Sequence, residues 1–387
     1  MGPEHTPEVS PMSKMHSALY GALALALFAA PSGGATPEVA ATLSRHGIQQ
    51  HAVPARDSPA WRTPRKIVLL QFTPRWTDLA AFRAAVPGTT VVAAGDVRSA
   101  IREVADADGI IGFNPEICDP RIIGAARELR WLASLAAGVE LCMQLPEVRA
   151  RRLVLTNMRG IDAPVIGEHA IALLLALAHG LDRFAVDTSR GSWSRASAGT
   201  IGMQFLEGKT MLVSGLGGIG TEVARRAHGL GMKVVATRVG GSGKPDFVEH
   251  VGQPEELLTL ARGADVIVSA VPLTPETTGL YDQRFFAALK PTAFFINVAR
   301  GGSVVTEALT EALQQGRLAG AGLDVVDPEP LPPDHPLWKA PRVLLTPHIS
   351  ASSDLPGEAR WTVAVENLRR YAAGEHLLNV VDLERGF

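Results

Sequence analysis

From Lys66 onward, apolar residues come in short, separated runs. Ile67–Gln71, Thr90–Ala94, Gly109–Gly112 and Leu132–Leu135 form a first series. Thr210–Ser214, Val234–Thr237, Val266–Ala270, Ala293–Val298, Gly320–Val325 and Val343–Leu345 form a second. Runs this short read as strands. Helical spacing fills the intervals at Asp78–Ala85, Glu222–Leu230, Pro254–Ala261 and Thr306–Gln315, and again near the end at Glu358–Ala373. Alternation of this kind predicts an α/β protein with mostly parallel sheets, the second series being doubly wound.

A longer apolar run, Val165–Leu177, separates the two series. Glu168, His169 and His179 interrupt or close it, Asp162 offers a side-chain cap and Pro164 an early-turn proline. These are helix-start signals, so the run predicts a buried helix between domains and not a membrane span. His169 and His179 are expected to be packing residues, since a ten-residue separation is not a metal-ligand spacing.

Residues 1–65 break the rhythm. Lys14 and His16 precede the apolar stretch Ala18–Ala30, and small residues follow it. That order predicts a secretory leader and export, with an alanine-rich extension on a cytoplasmic protein as the alternative. Residues 36–65, with Pro37, Pro54, Pro59 and Pro64, read as a linker.

Composition narrows the classes. A chain of 387 residues has room for two or three domains. Its 46% hydrophobic and 20% charged content excludes disorder throughout. Lys plus Arg number 37 against 39 Asp plus Glu, so there is no field to draw a polyanion, and nucleic acid is not an expected partner. The two cysteines, Cys118 and Cys142, exclude a disulfide scaffold and a zinc site; inert thiols in or near a core are expected.

Candidate chemistry begins at Met211-Leu-Val-Ser-Gly215-Leu-Gly217-Gly218-Ile219-Gly220, a GxGxxG segment between an apolar strand and a helix. Gly215 allows the tight turn, Gly217 a close backbone approach to a pyrophosphate, and Gly220 close helix–strand packing. The helix N-terminus offers N–H groups to phosphates. The next strand ends at Arg238, where a carboxylate would hold the ribose of NAD. Arginine there, assisted by Ser242 and Lys244, favours NADP(H), with NAD(H) the alternative.

Further motifs follow in order: Val271-Pro-Leu-Thr-Pro-Glu-Thr-Thr278, Asn297-Val-Ala-Arg300-Gly301-Gly302, Gly322-Leu-Asp324-Val-Val-Asp-Pro-Glu329-Pro330, Leu345-Thr-Pro-His348 and Asn367-Leu-Arg-Arg-Tyr. Together with the glycine segment they resemble the D-isomer-specific 2-hydroxyacid dehydrogenases, of the glyoxylate/hydroxypyruvate reductase type, from about Lys66 to about Asp382. The resemblance implies a Rossmann-type dinucleotide domain over 163–348. It also implies a flavodoxin-like substrate domain over 66–162 plus 349–387, an active site in the cleft, and a homodimer.

It further implies a catalytic set of Arg300, Glu329 and His348. Arginine's planar fork suits an oxo-acid carboxylate, histidine suits proton transfer to the carbonyl oxygen, and a carboxylate beside the ring orients it. Glu329 departs from the glutamine that related formate dehydrogenases use. By the same resemblance Ala137 and Gly138 bind the substrate carboxylate through backbone N–H groups. Gly218 and Ile219 lie under the phosphates, and Val271, Pro272 and Thr277 lie beside the cofactor. Val298 and Ala299 face the nicotinamide, and Asp324 bonds its carboxamide. The expected activity is hydride transfer between NAD(P)H and a small 2-oxo acid, giving a D-2-hydroxy acid. A dinucleotide-sensing, corepressor-like binding protein of the same fold is the alternative.

Overall fold

The computed structural model describes residues 35–386, less 60, 72–78, 194, 196–198, 200, 241–242 and 354–356. The apolar segment 18–30 and Ser242 therefore lie outside the described residues. The chain divides into two compact units, one of residues 1–158 and 357–383, the other of 159–356 and 384–387.

In the first unit β2 (Lys66–Leu70), β3 (Thr90–Ala94), β4 (Gly109–Gly112), β5 (Trp131–Ser134) and β6 (Val154–Thr156) form a parallel sheet. Its order is β3-β2-β4-β5-β6, the flavodoxin-like arrangement. β4 and β5 are buried along their whole length, which is why they read as continuous apolar runs. The Glu358–Ala373 helix closes this unit, with Tyr371 stacked on Trp131 at 4.6 Å between ring centroids.

Residues 36–65 are not a linker. Thr36 caps a helix at Pro37–Arg45, and β1 (Gln50–Pro54) pairs antiparallel with β14 (His376–Leu378). The Arg62 Nε donates to the fully buried Asp108 at 2.6 Å, and the Trp61 indole donates to the Tyr371 carbonyl at 2.8 Å. The prolines mislead because one fills a helix first turn and another ends a strand, both positions that tolerate a missing N–H.

Cys118 and Cys142 are also not thiols. They are bonded to each other across 24 residues. Both are buried as expected, one in a 3₁₀ turn at Glu116–Cys118 and one in a short helix at Glu140–Met143. Sequence separation conceals a pairing that only the packing of these two turns creates.

The second unit holds β7 (Thr210–Ser214), β8 (Lys233–Thr237), β9 (His250–Gly252), β10 (Val266–Ser269), β11 (Phe294–Asn297), β12 (Gly320–Leu323) and β13 (Val343–Leu345). They form one parallel sheet in the order β13-β12-β11-β10-β7-β8-β9. The order reverses between β7 and β10, the switch point at which doubly wound sheets open a crevice. One apolar core joins the sheet to the Ala163–Ala178 and Gly218–Gly229 helices, and a second joins it to Leu257, Phe285, Phe286, Leu309 and Leu313.

The helix at Ala163–Ala178 contains the predicted run, with Pro164 in its first turn. Asp162 occupies the N-cap position but makes no capping hydrogen bond, because its backbone is already near-helical there (φ −90°, ψ 0°). A second helix, Leu181–Ser189, follows at a bend of 72°. No single helix among the described residues is long and apolar enough to cross a membrane.

Candidate active site

The glycine turn sits at the switch point. Gly215 has φ +96°, and a Cβ there would lie 2.7 Å from the Ala270 carbonyl oxygen, so the turns after β7 and β10 pass too closely for any side chain. A Cβ on Gly220 would overlap the Gly215 carbonyl and sit 2.9 Å from Val213 Cγ1, which seats the helix directly on its strand. Gly217 differs. Nothing lies within 4 Å of its Cβ position, and it begins the twelve-residue helix without a capping side chain. An open glycine cradle below first-turn amides fits a dinucleotide pyrophosphate. Ile219 is partly buried against the apolar core beneath this turn.

Arg238 follows β8 directly, but its fork turns onto its own loop. Nε donates to the Gly240 carbonyl at 3.2 Å and an Nη to Gly243 at 2.6 Å. Lys244 Nζ donates to the Val248 carbonyl at 2.7 Å. The two cations share a cavity of about 410 Å³ with Glu249, His250 and Gln253. In the loop after β10, Thr277 Oγ1 donates to the Pro272 carbonyl at 2.6 Å and accepts from the Thr274 amide at 2.8 Å. That hydroxyl braces the Val271–Thr277 loop from within.

Arg300 leaves β11 in a turn stapled by Asn297. The Asn297 Oδ1 accepts from the Ala299 amide at 3.0 Å, and its Nδ2 donates to the Arg300 carbonyl at 3.0 Å. Ser303 Oγ donates to the same carbonyl at 2.8 Å. Both Asn297 and Ser303 are fully buried, and Val298 and Ala299 are nearly so. A Cβ on Gly301 would overlap the Val326 carbonyl, so this turn lies directly against the segment leading to Glu329. Asn297 and Ser303 brace this turn, a part that sequence reasoning did not assign to either.

His348 follows β13 with φ +54°, a left-handed conformation that costs a non-glycine residue about 1–2 kcal/mol. Its amide donates to the Asp324 carbonyl at 2.9 Å and to the Thr346 carbonyl at 3.0 Å. Its ring Nδ1 lies 3.0 Å from Glu329 Oε2, so the sequence-predicted pair meets although 19 residues separate it. A carboxylate only accepts, so Nδ1 carries the proton and Nε2 is left to give or take one. Both side chains are about half exposed.

Asp324 holds this turn from behind. Its side chain is fully buried; Oδ1 accepts from Thr346 Oγ1 at 2.6 Å and the Ile349 amide at 2.9 Å, and Oδ2 accepts from the Ser350 amide at 2.9 Å. Burial pushes its carboxyl up, but the hydroxyls of Ser350 and Thr346 and the two amides outweigh burial and hold it below the usual aspartate range. The predicted packing histidines behave otherwise. His179 is exposed at its helix end, and His169 places Nε2 3.0 Å from Thr346 Oγ1. A single sequence has no signal for the latter contact, which spans 177 residues.

In the first unit, the loop after β5 has its carbonyls pinned. Ser134 Oγ donates to Ala136 at 3.1 Å, Asn157 Nδ2 to Ala137 at 2.8 Å and Asn114 Nδ2 to Gly138 at 2.6 Å. Three consecutive carbonyls of this loop are thus held by side chains, which fixes the backbone that carries the Ala137 and Gly138 amides.

The profile of the D-isomer specific 2-hydroxyacid dehydrogenase NAD binding domain matches residues 171–350. A glyoxylate reductase of Thermococcus litoralis is 32% identical over 290 residues, covering 73% of this chain and 86% of the relative. Among solved structures, an NADPH-dependent glyoxylate/hydroxypyruvate reductase of Sinorhizobium meliloti, in complex with NADP and sulfate, is 26% identical with a TM-score of 0.69, covering 83% of this chain and 99% of that one. A D-lactate dehydrogenase of Aquifex aeolicus, complexed with NAD and lactic acid, is 25% identical with a TM-score of 0.67, covering 79% and 96%. The parallel sheets, the glycine turn and these likenesses agree: the chain belongs to the D-isomer specific 2-hydroxyacid dehydrogenase family, NAD(P)-dependent oxidoreductases.

Proposed function

We propose that the chain reduces a small 2-oxo acid of the glyoxylate or hydroxypyruvate type to the D-2-hydroxy acid, with NADPH preferred. The observation that carries this reading is the 3.0 Å contact between His348 Nδ1 and Glu329, with the stapled Arg300 turn against the same segment. The bound dinucleotide supplies the hydride. Gly217, Gly218 and Ile219 cradle its pyrophosphate, Val298 and Ala299 back its nicotinamide, and Arg238 with Lys244 holds a ribose phosphate. Arg300 binds the substrate carboxylate and polarises the neighbouring carbonyl. His348 donates a proton from Nε2 to the carbonyl oxygen as negative charge develops there, and in the reverse direction Nε2 removes it. Glu329 fixes the ring by accepting the Nδ1 proton. Ala137 and Gly138 offer amides to a carboxylate.

The test is absorbance of reduced nicotinamide with NADPH or NADH and glyoxylate, hydroxypyruvate, pyruvate or phenylpyruvate. NADPH oxidation is expected with at least one small acid, and Arg300→Ala should lower kcat/KM by about 100-fold or more. Undiminished turnover in that variant would remove Arg300 from the mechanism. No oxidation of either nucleotide, with binding demonstrated, would overturn the reading.

A further inference from the structure

We infer that His169 is a positioning residue for proton transfer, acting through Thr346 and Asp324 on the turn that carries His348. The direction of every bond in this chain is forced. The Asp324 carboxylate can only accept, so the single hydroxyl proton of Thr346 goes to Oδ1, 2.6 Å away. The Thr346 oxygen must then be the acceptor at 3.0 Å, and His169 Nε2 carries a proton and donates it. The same Nε2 lies 3.7 Å from Asp324 Oδ1, so the ring also faces the buried carboxylate directly.

Asp324 in turn binds the Ile349 and Ser350 amides with its side chain and the His348 amide with its carbonyl. Three consecutive amides are thus gathered on one residue. This gathering over-determines the left-handed backbone of His348. Asp324 has no exposed side-chain surface, so solvent cannot replace a lost partner there. His169 comes from a different element, the Ala163–Ala178 helix, and ties that helix to the turn that follows β13.

The inference rests on the proposed role of His348 as acid and base, and its test separates the two. His169→Leu keeps the bulk and removes the donor. His169→Gln places an amide N–H the same number of bonds from Cβ as Nε2. Hydrogen exchange at the Ile349 and Ser350 amides is measured in both variants, together with kcat, KM for the oxo acid and NADPH affinity. Faster exchange is expected at those amides in His169→Leu and exchange near that of the parent in His169→Gln. Alongside it, kcat should fall about 10- to 100-fold in the leucine variant only, with NADPH affinity kept within about twofold. Unchanged exchange in His169→Leu, or equal losses in both variants, would overturn the inference. If the parent protein oxidises NADPH with no acid, the proposed activity fails, and amide exchange alone still decides whether His169 holds the turn.

Discussion

Arg238 shapes its own loop, and the proposed function gives it a second task. With Nε and one Nη on backbone carbonyls, it shapes the loop beside the cavity after β8, while its charge stays at that site. A ribose 2′-phosphate would add charge-assisted bonds, so Arg238→Ala should raise KM for NADPH about 10- to 100-fold and leave kcat/KM for NADH within about threefold. Equal losses with both nucleotides would assign the arginine to loop shape alone. The His348–Glu329 contact was legible in the chain because both residues stand in recognisable motifs, and the Arg300 turn because it follows an apolar strand. Asp324 was legible as a residue but not in its bracing of the His348 turn, since Thr346, Ile349 and Ser350 reach it only after β13 folds alongside β12. His169 was legible only as a break in an apolar run.

The interior strands were readable because burial on both faces leaves uninterrupted apolar residues. β1 was not: four of its five residues are exposed, and its partner β14 lies more than three hundred positions later, so neither periodicity nor proximity announces it. Helices pack through positions that composition hides. A Cβ on Gly167 would approach Glu222 Cβ at 2.9 Å and the Glu222 carbonyl carbon at 3.1 Å, so the Ala163–Ala178 and Gly218–Gly229 helices touch backbone to backbone there. Gly167→Leu must push the glycine-turn helix away from its neighbour. The expected cost is about 1–3 kcal/mol, seen as a melting temperature lower by roughly 3–10 °C. An unchanged melting temperature would mean the helices separate freely, against the close contact described.

At the scale of the molecule, each unit has a parallel sheet with its own core, and the disulfide belongs wholly to the first. Closing a loop of this length restricts the unfolded chain, for a stabilisation of about 3–4 kcal/mol in chain-entropy terms. Cys118→Ser should therefore melt earlier than the parent, and a reductant should bring the parent down to the variant while leaving the variant unmoved. A parent indifferent to reductant would show the bond to be absent. The bond also makes residues 118–142 a covalent ring that contains β5 and the Ala136–Glu140 loop. A protease that nicks this ring once leaves both halves of the chain joined through sulfur. The cut molecule migrates as one piece until a reductant releases two fragments, and the nick by itself removes no strand from the sheet.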